Sequence, residues 1–194
     1  KLPMRSFFFN MNKIYKGKLL ISPKILIGDT FFNKSIVLVV DNENSGSVGF
    51  IINKKINYSL SDIISTAKIP FPIYLGGPVE QDNLFFIHNC NDLIPNGKLI
   101  NDNLFWGGDF KKAIDLINHK KIDNKNICFY LGYTGWSSGQ LEKEIKNNFW
   151  VLKENYFKSK IIKKRKKYLW KDYMISFGGD YLIWANSPDN PYLN

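Results

Sequence analysis

Phe129-Tyr-Leu-Gly-Tyr-Thr-Gly-Trp-Ser-Ser-Gly-Gln-Leu-Glu-Lys-Glu-Ile145 is the stretch around which this chain is organised. It opens as an apolar run and closes as a patterned helix. Asn126 to Leu131, with its aromatic and β-branched residues, predicts a buried strand. A loop of Gly132, Gly135 and Gly139 follows, in which Gly132 and Gly135 permit the positive φ of a tight strand exit. Ser137 followed by Gln140 fits a capping box. Leu141 and Ile145 lie one turn apart on one helical face, with Phe149 after them, and Gln140 and Glu144 form an adjacent pair. The expectation is strand, glycine loop, short helix. Two readings of the loop follow. The unpaired N–H groups of a helix start attract anions. Alternatively, the loop is a tight corner with Trp136 as its plug in the core.

Composition sets the outer bounds. The 194 residues suit one domain, 44% hydrophobic content supports a real core, and 15% aromatics make that core bulky. No apolar run approaches the roughly 18 residues of a membrane span. Phe7-Phe8-Phe9 after Arg5 is too short for the apolar region of a signal peptide. Cys90 and Cys128 have neither metal nor redox spacing, which fits a reducing, cytoplasmic setting. Charge is 27 basic against 17 acidic residues, or +10. That raises nucleic acid or a membrane surface as partners. However, Lys, Asn and Ile are all AT-rich in their codons, and mutational bias enriches them without any selection for binding.

Outward from the signature, Tyr15 to Ser22 predicts a strand stopped by Pro23. Ser35 to Val40 is apolar enough to be buried on both faces, and it pairs through the turn cluster Asp41 to Gly46 with Val48 to Ile52. Ser59 and Asp62 cap a helix from Leu60 to Ile64. Strands follow at Ile73 to Leu75, Leu84 to His88 and Lys98 to Ile100. Asp109 is the expected N-cap of a helix whose stripe is Phe110, Ala113, Ile114 and Ile117. Lys158 to Lys167 is strongly basic and continues a helix begun near Glu154. Phe177-Gly178-Gly179 ends that region, and Ile183 to Pro188 leads an extended tail that ends at Pro191 to Asn194.

These segments together resemble the AlgH/YqgE family of bacterial proteins, most closely its Bacteroidetes-type members. The resemblance rests on the signature stretch, on Gly17, Leu19, Leu20, Pro23, Asp29, Phe32, Ser35, Gly46, Gly49 and Asn53, on Gly76-Gly77-Pro78-Val79, and on Leu141-Glu142-Lys143-Glu144. It implies an α+β fold with a strongly bent, largely antiparallel sheet forming a partial barrel with flanking helices. It implies a single AlgH/YqgE-like domain over residues 1–194, with 1–14 as an N-terminal extension. The family often carries a His in the hairpin loop where this chain has Asn42, which removes any chemistry needing that imidazole. The family has no settled biochemical activity, and the resemblance carries only the transcriptional-regulator label given to some members.

The residues themselves offer little catalysis. His88 and Cys90 share a strand face and form a possible nucleophile pair, or else a half-buried His beside a small apolar thiol. His119 ends a helix, a structural position. Glu142 and Glu144 flank a helical stripe on opposite sides and cannot serve one acid–base site. No Cys/His cluster has metal spacing. Gly76-Gly77-Pro78 and Gly107-Gly108-Asp109 match neither phosphate-loop pattern, and Pro78 lacks a donor N–H. The expectation is therefore no catalytic, metal or cofactor site. Instead we expect a ligand or partner surface on the glycine loops, formed by Gly76, Gly77, Pro78, Trp106, Gly107, Gly108, Asp109, Tyr133, Trp136, Gln140 and Glu144. The alternative is an enzyme or small-ligand binder using that same surface. The expected partner is a protein or small molecule. Nucleic acid binding would be weak and non-specific, because the Lys-rich run lacks a reading element, and no membrane is involved.

Overall fold

The computed structural model of the chain describes residues 13–23, 29, 31–164 and 166–187. Arg5, Phe7–Phe9, Arg165 and the tail from Pro188 to Asn194 lie outside them. The strands are β1 (Leu19–Ile21), β2 (Ile36–Glu43), β3 (Gly46–Ile51), β4 (Lys55–Ser59), β5 (Pro72–Leu75), β6 (Val79–His88), β7 (Lys98–Asn101), β8 (Leu104–Trp106), β9 (Ile127–Ser137) and β10 (Val151–Lys153). The helices are α1 (Leu60–Ile63), α2 (Phe110–Asn118), α3 (Gln140–Lys146), α4 (Lys166–Phe177) and α5 (Tyr181–Ala185), with a 3-10 helix at Lys158–Lys163.

The strands form a curled half-barrel in the order β10-β1-β2-β3-β9-β6-β8-β7, with β4 and β5 joined to it through β9. All pairings are antiparallel except β5 with β9. The α+β half-barrel with flanking helices agrees with the expected fold.

β9 is where the two ends of the sheet join. One of its edges holds β5 at Phe129–Leu131 and then β3 at Thr134–Ser137, while the other edge holds β6. Gly132 makes the change of partner possible. Its φ of 69° bends the strand without ending it, and the β6 register slips at the same place, between Val79↔Tyr133 and Leu84↔Leu131. Here the sequence expectation needs correction. The glycines do not form an exit loop, because β9 runs unbroken through Gly132 and Gly135 to Ser137.

Strand alternation fills both faces. Ile36, Leu38 and Val40 point to one core, with Tyr130, Phe50, Trp170 and Met174. Val37 and Val39 point to another, with Trp136, Leu141 and Trp150. Ile127 and Phe129 face a third beneath α1 and α2. Both predicted caps are present. The Ser59 N–H and hydroxyl each donate to Asp62 Oδ2 at 2.7 Å, and Lys112 N donates to Asp109 Oδ1 at 2.9 Å.

Other expectations are revised. The hairpin strand β2 runs on to Glu43, which leaves only Asn44 and Ser45 to turn. The basic run is not a continuous helix from Glu154, because a 3-10 helix precedes α4. The helix Tyr181–Ala185 takes in Ile183 to Ala185, where the extended tail was expected to begin. β4, β8 and β10 had no counterpart in the sequence reading.

Candidate functional site

Trp136 leaves β9 toward α3 and is only 7% exposed. Its indole N–H donates to Glu144 Oε2 at 2.8 Å, and the Trp150 indole donates to the same oxygen at 2.9 Å. Gln140 Nε2 donates to Glu144 Oε1 at 2.9 Å. The Gln140 carboxamide oxygen in turn accepts from Ser137 N and Oγ at 3.0 and 3.2 Å. The two indoles meet edge to face with centroids 6.1 Å apart, and Phe32 closes on Trp150 in the same manner at 5.4 Å. Trp136 is therefore a core plug with a satisfied donor, and Gln140 and Glu144 tie it to α3. The expected capping box is displaced, since Gly139 holds the N-cap position and Gln140 reaches back to Ser137.

Gly76 and Gly77 press against β9. A Cβ on Gly76 would stand 2.0 Å from Gly132 O, and one on Gly77 would stand 2.2 Å from Tyr133 O. Gly76 N–H donates to Leu131 O at 2.7 Å, so it is not available to an anion. Gly107 N donates to Phe86 O at 2.9 Å and Asp109 N to Pro95 O at 3.0 Å. Phe86 pairs with Phe129, four positions along β9 from Tyr133, on the order of 13 Å away at the usual strand rise. The Gly107–Asp109 corner therefore sits apart from Gly76–Pro78. Trp106 packs on Phe50 at 6.2 Å, with the Lys98 ammonium 5.1 Å from its ring.

Tyr133 and Trp136 both border a trough of about 400 Å³. Val79, next to Pro78, borders it, and so does the β2–β3 hairpin through Asp41, Glu43 and Val48. Gly46 and Gly135 leave its floor bare, and the Tyr133 ring leans over Gly135, 3.2 Å from where a Cβ would stand. Asp41 is paired with Lys16 at 2.7 Å, while Glu43 is exposed. Sequence reasoning missed both carboxylates. Their signal is the alternation Asp41-x-Glu43 on one strand face, visible only once β3 aligns Val48 with Gly135.

The AlgH-like family matches residues 19–182. The chain belongs to the AlgH-like family. A UPF0301 protein of Parabacteroides distasonis is 39% identical over 183 residues, covering 92% of this chain and 91% of its own. A UPF0301 protein of Cytophaga hutchinsonii is 35% identical over 182 residues, covering 92% and 98%. The solution structure of AlgH from Pseudomonas aeruginosa superposes with a TM-score of 0.67 at 22% identity, covering 89% of this chain and 93% of that one. A crystal structure from Corynebacterium diphtheriae gives 0.71 at 16% identity, covering 93% and 97%. These two likenesses show the fold.

The remaining candidates for chemistry are His88, Cys90 and His119. Cys90 Sγ lies 3.9 Å from His88 Nδ1, and His88 Nε2 is 3.1 Å from Gly107 O. Burial pushes the Cys90 thiol up and the buried His88 imidazole down. Both shifts oppose a thiolate–imidazolium pair. Neither cysteine is in a disulfide. His119 is the C-cap of α2, its Nδ1 2.9 Å from Asp115 O. Among the described residues, no group of three or more His, Cys, Asp or Glu could hold a metal ion, and no helix is long and apolar enough to cross a membrane.

Glu144→Gln leaves one carboxamide oxygen for two indoles and turns an N–H₂ toward Gln140 Nε2. We expect a loss of about 1–3 kcal/mol, read from denaturant titrations of the wild type and the variant. A cost near zero would mean that the three contacts to this carboxylate do not hold the helix.

His88 predicts a pH dependence. Its folded pKa lies below the ordinary 6.5 because of burial, opposed by the hydrogen bond to Gly107. Below 6.5 the unfolded chain takes up a proton that the folded chain does not. Stability is therefore complete above that pH and falls as pH drops toward the lowered folded value, by up to about 1.4 kcal/mol per pH unit. In His88→Gln the slope between pH 6.5 and 5.5 should flatten, as measured by urea midpoints. An unchanged slope would assign the dependence to other groups.

Proposed function

We propose that this AlgH-like chain is a non-catalytic, cytoplasmic binding protein with a regulatory role, and that the trough beside β9 is where it binds. The observation that carries the reading is the lining of the trough. Two carboxylates line it, the exposed Glu43 and the Lys16-paired Asp41, together with the Tyr133 ring, and there are no side chains at Gly46 and Gly135. A carboxylate together with an aromatic ring suits a cation, which gains both an ion pair and a cation–π contact. The ligand class is therefore an organic ammonium or the Lys or Arg side chain of a protein partner. The volume falls within the range of small-molecule sites. The backbone N–H groups of Gly76, Gly107 and Asp109 are engaged within the protein, which disfavours the alternative of an enzyme using those loops as a phosphate cradle.

The test uses isothermal titration with spermidine and with a Lys-Lys-Lys peptide, alongside native mass spectrometry of protein purified from cells. Gly135 has no positive φ, so Gly135→Leu fills the trough without backbone strain. We expect it to abolish binding, and Glu43→Gln to weaken binding at least tenfold, both with melting temperatures close to wild type. Equal affinity in both variants, or chemical turnover of a retained ligand, would overturn the reading.

A further inference from the structure

The basic run at the C-terminal side is not a solvated face of one helix. In the 3-10 helix Lys158–Lys163, Ile161 and Ile162 are buried and anchor the segment in the main core. Lys163 and Lys164 are left exposed on a ridge between two cavities, and both residues line each of them. The larger cavity, about 680 Å³, is walled by Tyr156, Phe157, Leu169 and Tyr173. Among the described residues that line it, Asp172 is the one carboxylate. The smaller, about 380 Å³, lies against Tyr74 of β5, Ile127 and Cys128 of β9, and Lys125 on the turn before β9. No Asp or Glu is among the described residues that line it.

The two halves differ in chemistry. One is aromatic and apolar. The other is lined by lysines from two separate segments, Lys125 from one and Lys163 and Lys164 from the other, with Lys164 turning its ammonium to the boundary with the larger cavity. Lys125 stands 4.0 Å from Asp123 at the edge, and the Lys164 ammonium lies 4.2 Å from the Phe157 ring. A bare anion has no use for the apolar walls. A nucleic acid needs an extended cationic track, whereas this is a cavity of small-molecule size.

We propose that the paired cavities are one binding site for an anionic amphiphile: an acyl or aryl body in the larger cavity and a carboxylate or phosphate head held by Lys125 and Lys163 in the smaller, with Lys164 at the boundary between them. The site shares no lining residue with the trough beside β9, so it stands independently of the function proposed above.

The experiment is a fluorescence titration of the full chain with cis-parinaric acid below its micelle concentration, with the methyl ester as the uncharged control. We expect one saturable site per chain and an ester at least tenfold weaker than the acid. Lys163→Gln combined with Lys164→Gln should weaken the acid at least tenfold and leave the ester unchanged. Ser176→Phe, which fills the larger cavity from an exposed position on α4, should weaken both probes. Circular dichroism should be unchanged in each variant. Gly135→Leu should bind like the wild type. An ester as tight as the acid, no effect of the lysine substitutions, more than one probe per chain, or loss in Gly135→Leu would each overturn the site. A final arm uses phosphatidylglycerol vesicles. Sedimentation with vesicles and no binding of the monomeric acid would overturn the cavity in favour of a charged surface, while binding of the monomeric acid alone would identify a free metabolite as the source.

Discussion

The fold depends on one close approach of backbone to backbone, where Gly76 and Gly77 lie against Gly132 and Tyr133. Side chains at those glycines would hold the strands apart. With none present, β5 enters beside β9, and β9 bends at Gly132 and goes on to accept β3. A strand that changes partner in mid-course is what lets a single sheet curl back on itself, since each half follows a different neighbour. The three cores are a consequence. One lies between the sheet and α4, one beneath α1 and α2, and one beneath α3.

Past the bend, β9 is held by chemistry rather than by burial alone. Glu144 collects two indole donors and one carboxamide donor, which joins the strand, α3 and the chain leading into β10. A half-buried carboxylate with its acceptors engaged is stabilising only while its partners are all in place. This ties Trp136, Gln140 and Glu144 together as a unit and leaves Tyr133, on the opposite face of the same strand, available to the trough. Strand alternation thus divides one signature between structure and surface.

Local chemistry was legible where it is self-contained. Ser59 with Asp62, and Asp109 ahead of its apolar stripe, announce helix starts within four residues, and the structure has both. The α+β half-barrel came from resemblance and not from periodicity. The bend at Gly132 was illegible because a glycine with positive φ serves equally to end a strand or to kink one, and only the partner strands decide. β4 escaped because Lys55–Ser59 is exposed and carries few β-formers. The helix Tyr181–Ala185 escaped because its aromatic, β-branched run has the composition of a strand. Asp41 and Glu43 belong to the trough only through the β3–β9 register, which no local pattern encodes.

The central claim is that the signature stretch is a bent strand continuous to Ser137 and not a strand followed by a loop. Native-state hydrogen exchange tests it directly. The account predicts that ladder amides on both sides of Gly132, in Phe129–Leu131 and in Thr134–Trp136, exchange only through opening of the whole molecule, with one common free energy close to that of global unfolding. Fast exchange from Gly132 to Ser137 beside a protected Phe129–Leu131 would contradict it.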